Sequence, residues 1–393
     1  MATVSKREWV HGGVKKTAWV VRYSDQLGKR RLKTFERKKD AETYKVQVQT
    51  EIGDGTHLAD RSNVTVADAL KDFAKTLDER VATGDKMRFK TAYEWKNRMK
   101  VHIRPLLGSV KLAKLTPVII QDFVRSVADV GGANRSRATV TKCLQVLQAA
   151  IDDAVARGKI ARRIDVLEGV RMVGQPKKKV TIPTKAEIFQ ALEAAKGWFR
   201  PILYMAVFTG MRQGEIRGLQ WSEVDLEKGL IEVKQAACTL SGAIHTPKSQ
   251  AGFRVIHMAP ELVTELKAYK EKHGKTDGLV FLGKDGPLDP RAVHAAWVRL
   301  QTDLGWCPPR PESDRPNTRR SKYNSSGKFS FHALRHVTAS LLVESGASPQ
   351  LIISMMGHAS ITMTHSTYTH SFDDAKNREK TTALLREALF EEA

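Results

Sequence analysis

The sequence predicts a multidomain, mainly α protein with small β-sheets (α+β). A chain of 393 residues exceeds one ordinary domain and suits two or three. Strand-like and helix-like patterns fall in different segments, and a stretch rich in Gly, Pro and Lys at 173–179 is typical of a linker. We therefore expect a small β domain over 1–60, a helical domain over 64–172 and a mixed α/β domain over 180–393.

The first segment carries strand patterns and many cations. Ala18–Tyr23 is strand-like, Asp25–Gly28 supplies turn residues, and a second basic strand follows over Lys29–Phe35. A helix is expected from Asp40 towards Val48. So many cations on two strands favour a sheet that binds a groove of DNA, whereas a structural sheet with solvated lysines is the alternative.

The middle segment has helical periodicity and no catalytic cluster, which indicates a scaffold or a clamp. An N-cap at Thr65 precedes one apolar stripe, and Thr116-Pro117 begins another helix. The apolar positions that support these helices are Leu70, Phe73 and Leu77, then Tyr93, Trp95 and Met99, then Ile119, Ile120, Phe123 and Val127. The second of them is expected to stop near Pro105, which Gly108 follows. A last long helix over 139–155 is expected to end at Gly158.

The last segment combines helices with short strands. Thr184 and Glu187 have the spacing of a capping box. Three short strands are expected at Leu230–Ala236, Ala243–Thr246 and Phe253–Met258. Residues 305–328 are rich in Pro, Arg, Ser and Asn, which predicts a mobile basic loop.

The charge and the cysteines limit the partners and the compartment. A formal net charge of +22 favours a polyanion such as nucleic acid, although a ribosomal or membrane-surface protein would also fit. The three cysteines show no pairing pattern, which suits a reducing compartment and excludes a disulfide framework or a multi-thiolate zinc site. The longest apolar run, 202–208, is too short for a bilayer, and the N-terminus has no signal-peptide core. We expect a soluble intracellular protein without a membrane partner.

Several kinds of site are excluded. The chain has no phosphate-binding glycine loop with Lys-Thr, so ATP is not expected, and no compact carboxylate pair for a two-metal nuclease. His332 and His336 have the i, i+4 spacing of zinc peptidases, but Ala333 occupies the position where those enzymes need Glu. We therefore expect no cofactor and no metal.

A series of polar residues in the last segment remains. Arg212 follows an apolar helix that breaks at Gly210, and His332 and Arg335 share a helix face. His358 ends another helix, and Tyr368 follows ten residues later. Each one taken singly is more simply explained as a surface arginine or a tyrosine at the edge of a core.

The order of these residues and the motifs around them change that interpretation, because the chain closely resembles the tyrosine recombinase (phage integrase) family. The matching stretches are 209–226 (TGMRQGEIRGLQWSEVDL), 246–249 (TPKS), 331–336 and 356–370. They occur in the family's order and at its approximate spacing, with the 305–328 insertion as the main irregularity. The resemblance weakens over 64–172, where it implies a core-binding domain. It is only general over 1–60, where it implies an arm-site-binding domain.

The resemblance implies a role for each matching residue. Arg212 and Arg335 would grip the scissile phosphate, and Lys248 would donate a proton to the leaving 5′ oxygen. Tyr368 would be the nucleophile. His332 and His358 match the family's two histidines, and Glu215 matches an acidic residue that supports the site.

These residue types suit phosphodiester chemistry. Two permanently charged guanidiniums offer bidentate donors to the nonbridging oxygens and replace the electrostatic work of metal ions. A tyrosine with a pKa of about 10 needs a neighbouring base, and a lysine is a sensible acid for the leaving alkoxide. A covalent 3′-phosphotyrosine conserves the bond energy, so religation needs neither ATP nor metal.

Two other functions stay open at this stage. A type IB topoisomerase would use a similar catalytic set to relax supercoils. A non-catalytic DNA-binding regulator would use the helix-turn-helix pattern of Ser348–Thr362, but it would give Tyr368 no role.

The resemblance further implies an integrase of a phage or another mobile element in a bacterial cytoplasm. Its partners would be double-stranded DNA attachment sites, with core and arm sequences, and accessory DNA-bending proteins. A homotetramer on DNA is expected through an amphipathic C-terminal helix over Lys376–Ala393, whose apolar stripe is Leu384, Leu385, Ala388 and Leu389.

Overall fold

The structure is a computed structural model. It describes residues 2–12, 14–25, 28–54, 64–85, 87–129, 135–160, 164–176, 180–247, 250–274, 276–308 and 327–357. The chain divides into two compact units, 1–178 and 179–393. Helices dominate and the sheets are small, so the predicted α+β class is confirmed. The finer division into three domains stays a prediction. None of the helices in the described ranges has the length and apolar character needed to cross a membrane.

The chain begins with a three-stranded antiparallel sheet in the order β1-β2-β3, followed by a helix. The elements are β1 (Thr3–His11), β2 (Val14–Ser24), β3 (Arg30–Phe35) and α1 (Lys38–Gly53). Val21 and Tyr23 on β2 form a small core with Ala41 and Val48 of α1. Because these two strand residues alternate with residues on the opposite face, α1 covers one face of the sheet.

The rest of the first unit is helical around its own core. It contains α2 (Val66–Ala82), α3 (Phe89–Arg98), a π-helical turn (Met99–Ile103), α4 (Arg104–Leu107), α5 (Pro117–Ala128) and α6 (Arg137–Ala156). Thr65 forms a reciprocal capping box with Asp68, and Thr116 caps α5 as expected. The helical run predicted to stop near Pro105 and Gly108 ends at Leu107, with Gly108 as its C-cap. Pro105 lies in the first turn of α4, where a missing N–H is tolerated.

The second unit alternates helices with two-stranded and three-stranded sheets. Its helices are α7 (Lys185–Ala194), α8 (Phe199–Thr209), α9 (Gln213–Gly218), α10 (Pro260–His273), α11 (Pro290–Asp303), α12 (Ala333–Glu344) and α13 (Pro349–Met356). Its strands are β4 (Val224–Asp225), β5 (Leu230–Val233), β6 (Ala236–Ala237), β7 (Ile244–His245), β8 (Arg254–His257), β9 (Leu282–Gly283) and β10 (Gly286–Pro287).

The sheet pairing corrects one strand prediction. The segment expected as a single strand over Leu230–Ala236 is divided, because β5 pairs with β4 and β8 whereas β6 pairs with β7. Lys234 and Gln235 lie between the two strands. Gln235 donates a side-chain hydrogen bond to the carbonyl of Gly218, 2.8 Å away, which holds this break against the end of α9.

The core of the second unit holds the start of α12 in place. Trp297 of α11 is fully buried and donates its indole N–H to the carbonyl of Phe329 at 2.9 Å. Gln301, also fully buried, accepts from the Phe329 N–H at 2.8 Å and donates to the same carbonyl at 3.1 Å. Buried polar groups are stable only when they are paired in this way. The segment that leads into α12 is thereby fixed to α11.

Several predictions fall outside the described residues. These are the positions of Lys248, His358 and Tyr368, the second half of the helix-turn-helix pattern, most of the predicted basic loop (309–326) and the predicted C-terminal helix.

The capping box of α7 provides a test of local stability. Thr184 accepts from the Glu187 N–H at 3.2 Å, and Glu187 accepts from the Thr184 N–H at 2.8 Å. Thr184→Ala leaves backbone N–H donors of the first turn unpaired. We therefore expect the free energy of unfolding to fall by about 1 kcal/mol and the melting temperature to fall by about 2–4 °C. Thr264→Ala is the control, since Thr264 is exposed within α10 and Ala favours a helix interior. Equal melting temperatures for the two variants in calorimetry would contradict the capping role.

Candidate active site

The site begins where α8 ends. Gly210 has a φ of +61°, and a Cβ there would lie 2.8 Å from Sδ of Met356. Glycine is therefore required both by the left-handed backbone and by the packing of α13 against it. The hydroxyl of Thr209 accepts from the Met211 N–H at 3.2 Å. The chain turns sharply here, which places Arg212 at the start of α9.

Arg212 and Glu215 form the N-terminal cap of α9. The Glu215 carboxylate accepts from the backbone N–H of Arg212 at 2.9 Å and from Nη1 of its side chain at 2.9 Å. The side chain of Glu215 is 7% exposed, whereas that of Arg212 is 39% exposed. The carboxylate is thus a buried support for an arginine that still reaches solvent.

A second arginine completes the surroundings of Glu215. Arg254 at the start of β8 donates Nη2 to Oε2 of Glu215 at 2.7 Å and Nη1 to Oε1 at 3.3 Å. Burial alone would raise the pKa of Glu215. The hydrogen bonds and charge of Arg254, with smaller contributions from Arg212, outweigh it and lower the pKa. Glu215 is therefore ionised at neutral pH.

Arg335 on α12 is almost fully buried. Its Nη1 donates to the carbonyl of Gly210 at 2.6 Å, and its Nη2 donates to the carbonyl of Met356. These two acceptors lie at the carboxyl ends of α8 and α13. Helix carboxyl ends carry unpaired carbonyls and partial negative charge, so a buried guanidinium is well placed there.

The end of α13 gathers the three arginines Arg212, Arg254 and Arg335, hereafter the arginine cluster. Nε of Arg254 donates to the Met355 carbonyl at 2.8 Å, and Nη2 of Arg212 to the Gly357 carbonyl at 3.0 Å. With Arg335 on Met356, three consecutive carbonyls each accept from a different arginine. The chain leaves this point directly into His358.

His332 lies immediately before α12, beside the arginine cluster. Its ring centroid is 5.2 Å from that of His336, with the rings nearly perpendicular. Desolvation by the surrounding protein lowers the pKa of His332 to about 4, and the charges of His336, Arg335 and Arg212 act in the same direction. The side chain keeps an exposed edge. His332 is therefore neutral at pH 7 and able to accept a proton or a hydrogen bond.

The structure thus brings together Arg212, Glu215 and Arg335 and puts His332 next to them, while Lys248, His358 and Tyr368 lie outside the described residues. Arg254 was not predicted. A single arginine in a short strand looks like a surface position, and only its burial identifies it. Across the described ranges, no group of three or more His, Cys, Asp or Glu side chains is arranged to hold a metal ion.

Comparisons with known proteins match these observations. A model of the phage integrase family matches residues 178–375, and a model of the phage integrase N-terminal SAM-like domain matches residues 85–127. A tyrosine recombinase XerC-like protein of Caldanaerobacter subterraneus subsp. tengcongensis is 26% identical over 366 residues, which cover 88% of this chain and 90% of that protein. Prophage integrase IntR of Escherichia coli is 26% identical over 254 residues, covering 62% of this chain and 60% of that one.

Solved structures share the fold. The Tn1549 transposon integrase in complex with transposon right end DNA has a TM-score of 0.61 at 20% identity, covering 81% of this chain and 100% of that chain. A lambda integrase tetramer bound to a Holliday junction has a TM-score of 0.56 at 21% identity, covering 88% and 91%. The family match spans half of this chain and includes every matching motif residue. The chain therefore belongs to the phage integrase family of tyrosine recombinases.

Proposed function

We propose that this protein is a site-specific DNA recombinase of a phage or another mobile element. It cuts and rejoins DNA strands through a 3′-phosphotyrosine on Tyr368, without metal or ATP. The observation that carries the proposal is the arginine cluster, which holds two phosphate-binding arginines on the carbonyls that directly precede His358. The family membership of the chain supports the same conclusion.

Arg212 and Arg335 bind the scissile phosphate. Each has its guanidinium oriented by backbone carbonyls before substrate arrives, so little reorganisation is needed when charge develops on the nonbridging oxygens. Arg212 remains 39% exposed and can reach the DNA. Lysine would supply charge but not two fixed donors.

The reaction then exchanges one phosphoester for another. The hydroxyl of Tyr368 attacks phosphorus, a bond forms between phosphorus and the phenolic oxygen, and the bond to the 5′ oxygen breaks. Lys248 gives the leaving oxygen its proton, and His358 or the neutral His332 accepts the proton of Tyr368. Attack by a 5′ hydroxyl of the partner duplex reverses these steps and restores the lysine and the tyrosine.

The partners follow from the relatives and from the charge. Solved relatives are integrases in complex with transposon DNA, or a tetramer bound to a Holliday junction. We propose that this chain likewise binds double-stranded attachment sites and assembles as a homotetramer, assisted by DNA-bending proteins. Its net charge of +22 suits that partner. We place its action in the bacterial cytoplasm, since several of its relatives come from bacteria.

The N-terminal sheet supports binding to separate arm sites. Strand register places Arg7, Lys16 and Arg22 on the face opposite the α1 core, because Arg7 pairs with Ala18 and position 22 alternates with the buried Val21. All three cations are exposed. A basic face on a small sheet suits the major groove of DNA.

The first prediction tests the nucleophile. Tyr368→Phe removes only the hydroxyl that forms the covalent bond, so DNA binding should persist while cleavage is abolished. The measurement is a nicked suicide substrate, with the protein–DNA adduct resolved on a denaturing gel. Tyr93→Phe, which changes an exposed tyrosine of α3, should form the adduct at the wild-type rate.

An adduct from the Tyr368 variant would refute the assignment. Recombination between two defined sites, measured in the same preparation, separates a recombinase from an enzyme that only relaxes supercoils.

The second prediction tests the two arginines. Arg212→Lys and Arg335→Lys should each reduce cleavage by roughly a hundredfold or more, since each removes a transition-state interaction of about 3 kcal/mol. Arg291→Lys is the control, because the Arg291 side chain is 91% exposed and its ion pair is with the neighbouring Asp289. Single-turnover cleavage with and without chelator is the measurement. Strict dependence on added magnesium in the wild type would contradict the mechanism.

The third prediction tests the sheet face. Replacing Arg7, Lys16 and Arg22 together by Gln should abolish protection of the arm sequences in footprinting, while core-site binding and adduct formation continue. The slope of log K against log salt on full attachment sites should become shallower by about 0.9 for each phosphate that the variant no longer neutralises.

The matched control changes the same charge on the other side of the sheet. Replacing Arg37, Lys39 and Lys45 by Gln alters cations at and within α1 and should leave arm protection intact. Identical footprints for the two triple variants would mean that this face does not read DNA.

A further inference from the structure

Arg254 uses all three of its guanidinium nitrogens. Nη2 and Nη1 donate to the two carboxylate oxygens of Glu215 at 2.7 and 3.3 Å, Nη1 also donates to the Gly252 carbonyl at 3.3 Å, and Nε donates to the Met355 carbonyl at 2.8 Å. Its side chain is 4% exposed. Because Nε and both Nη atoms donate to protein acceptors, Arg254 joins β8, α9 and α13.

The packing around Arg254 is equally close. A Cβ on Gly357 would lie 2.9 Å from Nη1 of Arg254 and 3.0 Å from the carbonyl oxygen of Ala251. The end of α13 therefore rests directly on this guanidinium. Any shift of Arg254 moves the carbonyls of Met356 and Gly357, which orient the two arginines assigned to the phosphate.

Arg254 also constrains the position of Arg212 through Glu215. Glu215 accepts from Arg254 on one side and from the N–H and Nη1 of Arg212 on the other. Buried ion pairs contribute little net stability, because desolvation of both charges offsets their attraction. The pair is therefore better explained by the geometry that it imposes than by the stability that it adds.

We propose that Arg254 is a positioning residue for strand cleavage. It acts through Glu215 and the α13 carbonyls to hold Arg212 and Arg335 where they can bind the phosphate. This inference rests on the proposed function of the site.

The test compares two substrates that differ in charge at the scissile position. A methylphosphonate replaces one charged nonbridging oxygen by a methyl group, so its cleavage depends less on correctly placed cations. Arg254→Lys retains the charge but cannot span Glu215 and Met355 together. We expect the single-turnover rate of adduct formation to fall about 10- to 100-fold on the phosphate, and by less than about threefold on the methylphosphonate.

The control is Arg200→Lys. Arg200 also bridges a carboxylate and a backbone carbonyl, Glu265 at 2.7 Å and Leu192 at 2.8 Å, and its hydrogen bonds lie away from the arginine cluster. It should retain the wild-type rate on both substrates. An equal loss for Arg254→Lys on both substrates, or no loss on either, overturns the proposal.

A second variant covers the case in which Arg254→Lys does not fold. Combining Arg254→Met with Glu215→Gln removes both buried charges, so that neither is left unpaired. The selective loss on the phosphate should remain, and its absence again overturns the proposal.

Adduct formation by the wild type tests the proposed function separately. A wild type without adduct refutes that function, whereas a wild type with adduct and an unselective variant refutes only the role of Arg254.

Discussion

Three guanidinium groups donate to three consecutive carbonyls at the end of α13, and the geometry of the site depends on this arrangement. The last turn of any helix leaves its carbonyls without partners inside the helix. In this chain Arg254, Arg335 and Arg212 take those acceptors in sequence order along 355–357. The same bonds that complete the helix therefore orient the arginines that we propose to bind the phosphate. A displacement of α13 therefore displaces the arginines of the site. The same bonds hold Gly357, the residue before His358, in place.

The partners in this arrangement are far apart in the sequence. Arg335 lies 125 residues from Gly210, and Arg212 lies 145 residues from Gly357. No local segment contains enough of the site to form it alone, so the arginine cluster comes together only when the second unit folds. The fully buried residues Trp297 and Gln301 contribute by fixing the entry to α12, which carries Arg335. Core packing and catalytic geometry are in this sense one constraint, and a substitution in α11 can weaken the site without touching it.

The sequence predicted the fold class and most helices, because these depend on local patterns, and it named Arg212, Glu215 and Arg335, which the structure brings together. Capping boxes at Thr65 and Thr184 and left-handed glycines such as Gly210 leave a local signature. The predictions that failed concern features set by contacts between residues distant in the sequence. β1 was not predicted, because its residues do not alternate regularly between apolar and polar. Leu230–Ala236 was predicted as one strand, because a change of pairing partner leaves no mark on hydrophobicity. Arg254 is identified by burial alone, which composition cannot show.

Net charge and catalytic charge play different parts. The excess of 22 cations indicates a polyanionic partner but locates no chemistry, since a net charge does not say where the individual charges lie. The arginine cluster holds only three cations, one carboxylate and a set of carbonyls, with Arg254 and Arg335 removed from solvent. Salt screens exposed charges over about 8–10 Å at physiological strength, but it screens buried ones much less. Affinity for DNA should therefore fall with salt while the rate of cleavage of bound DNA changes little. Under the proposed function, the surface charge brings the duplex to the protein, and the hydrogen-bonded cluster acts on its scissile phosphate.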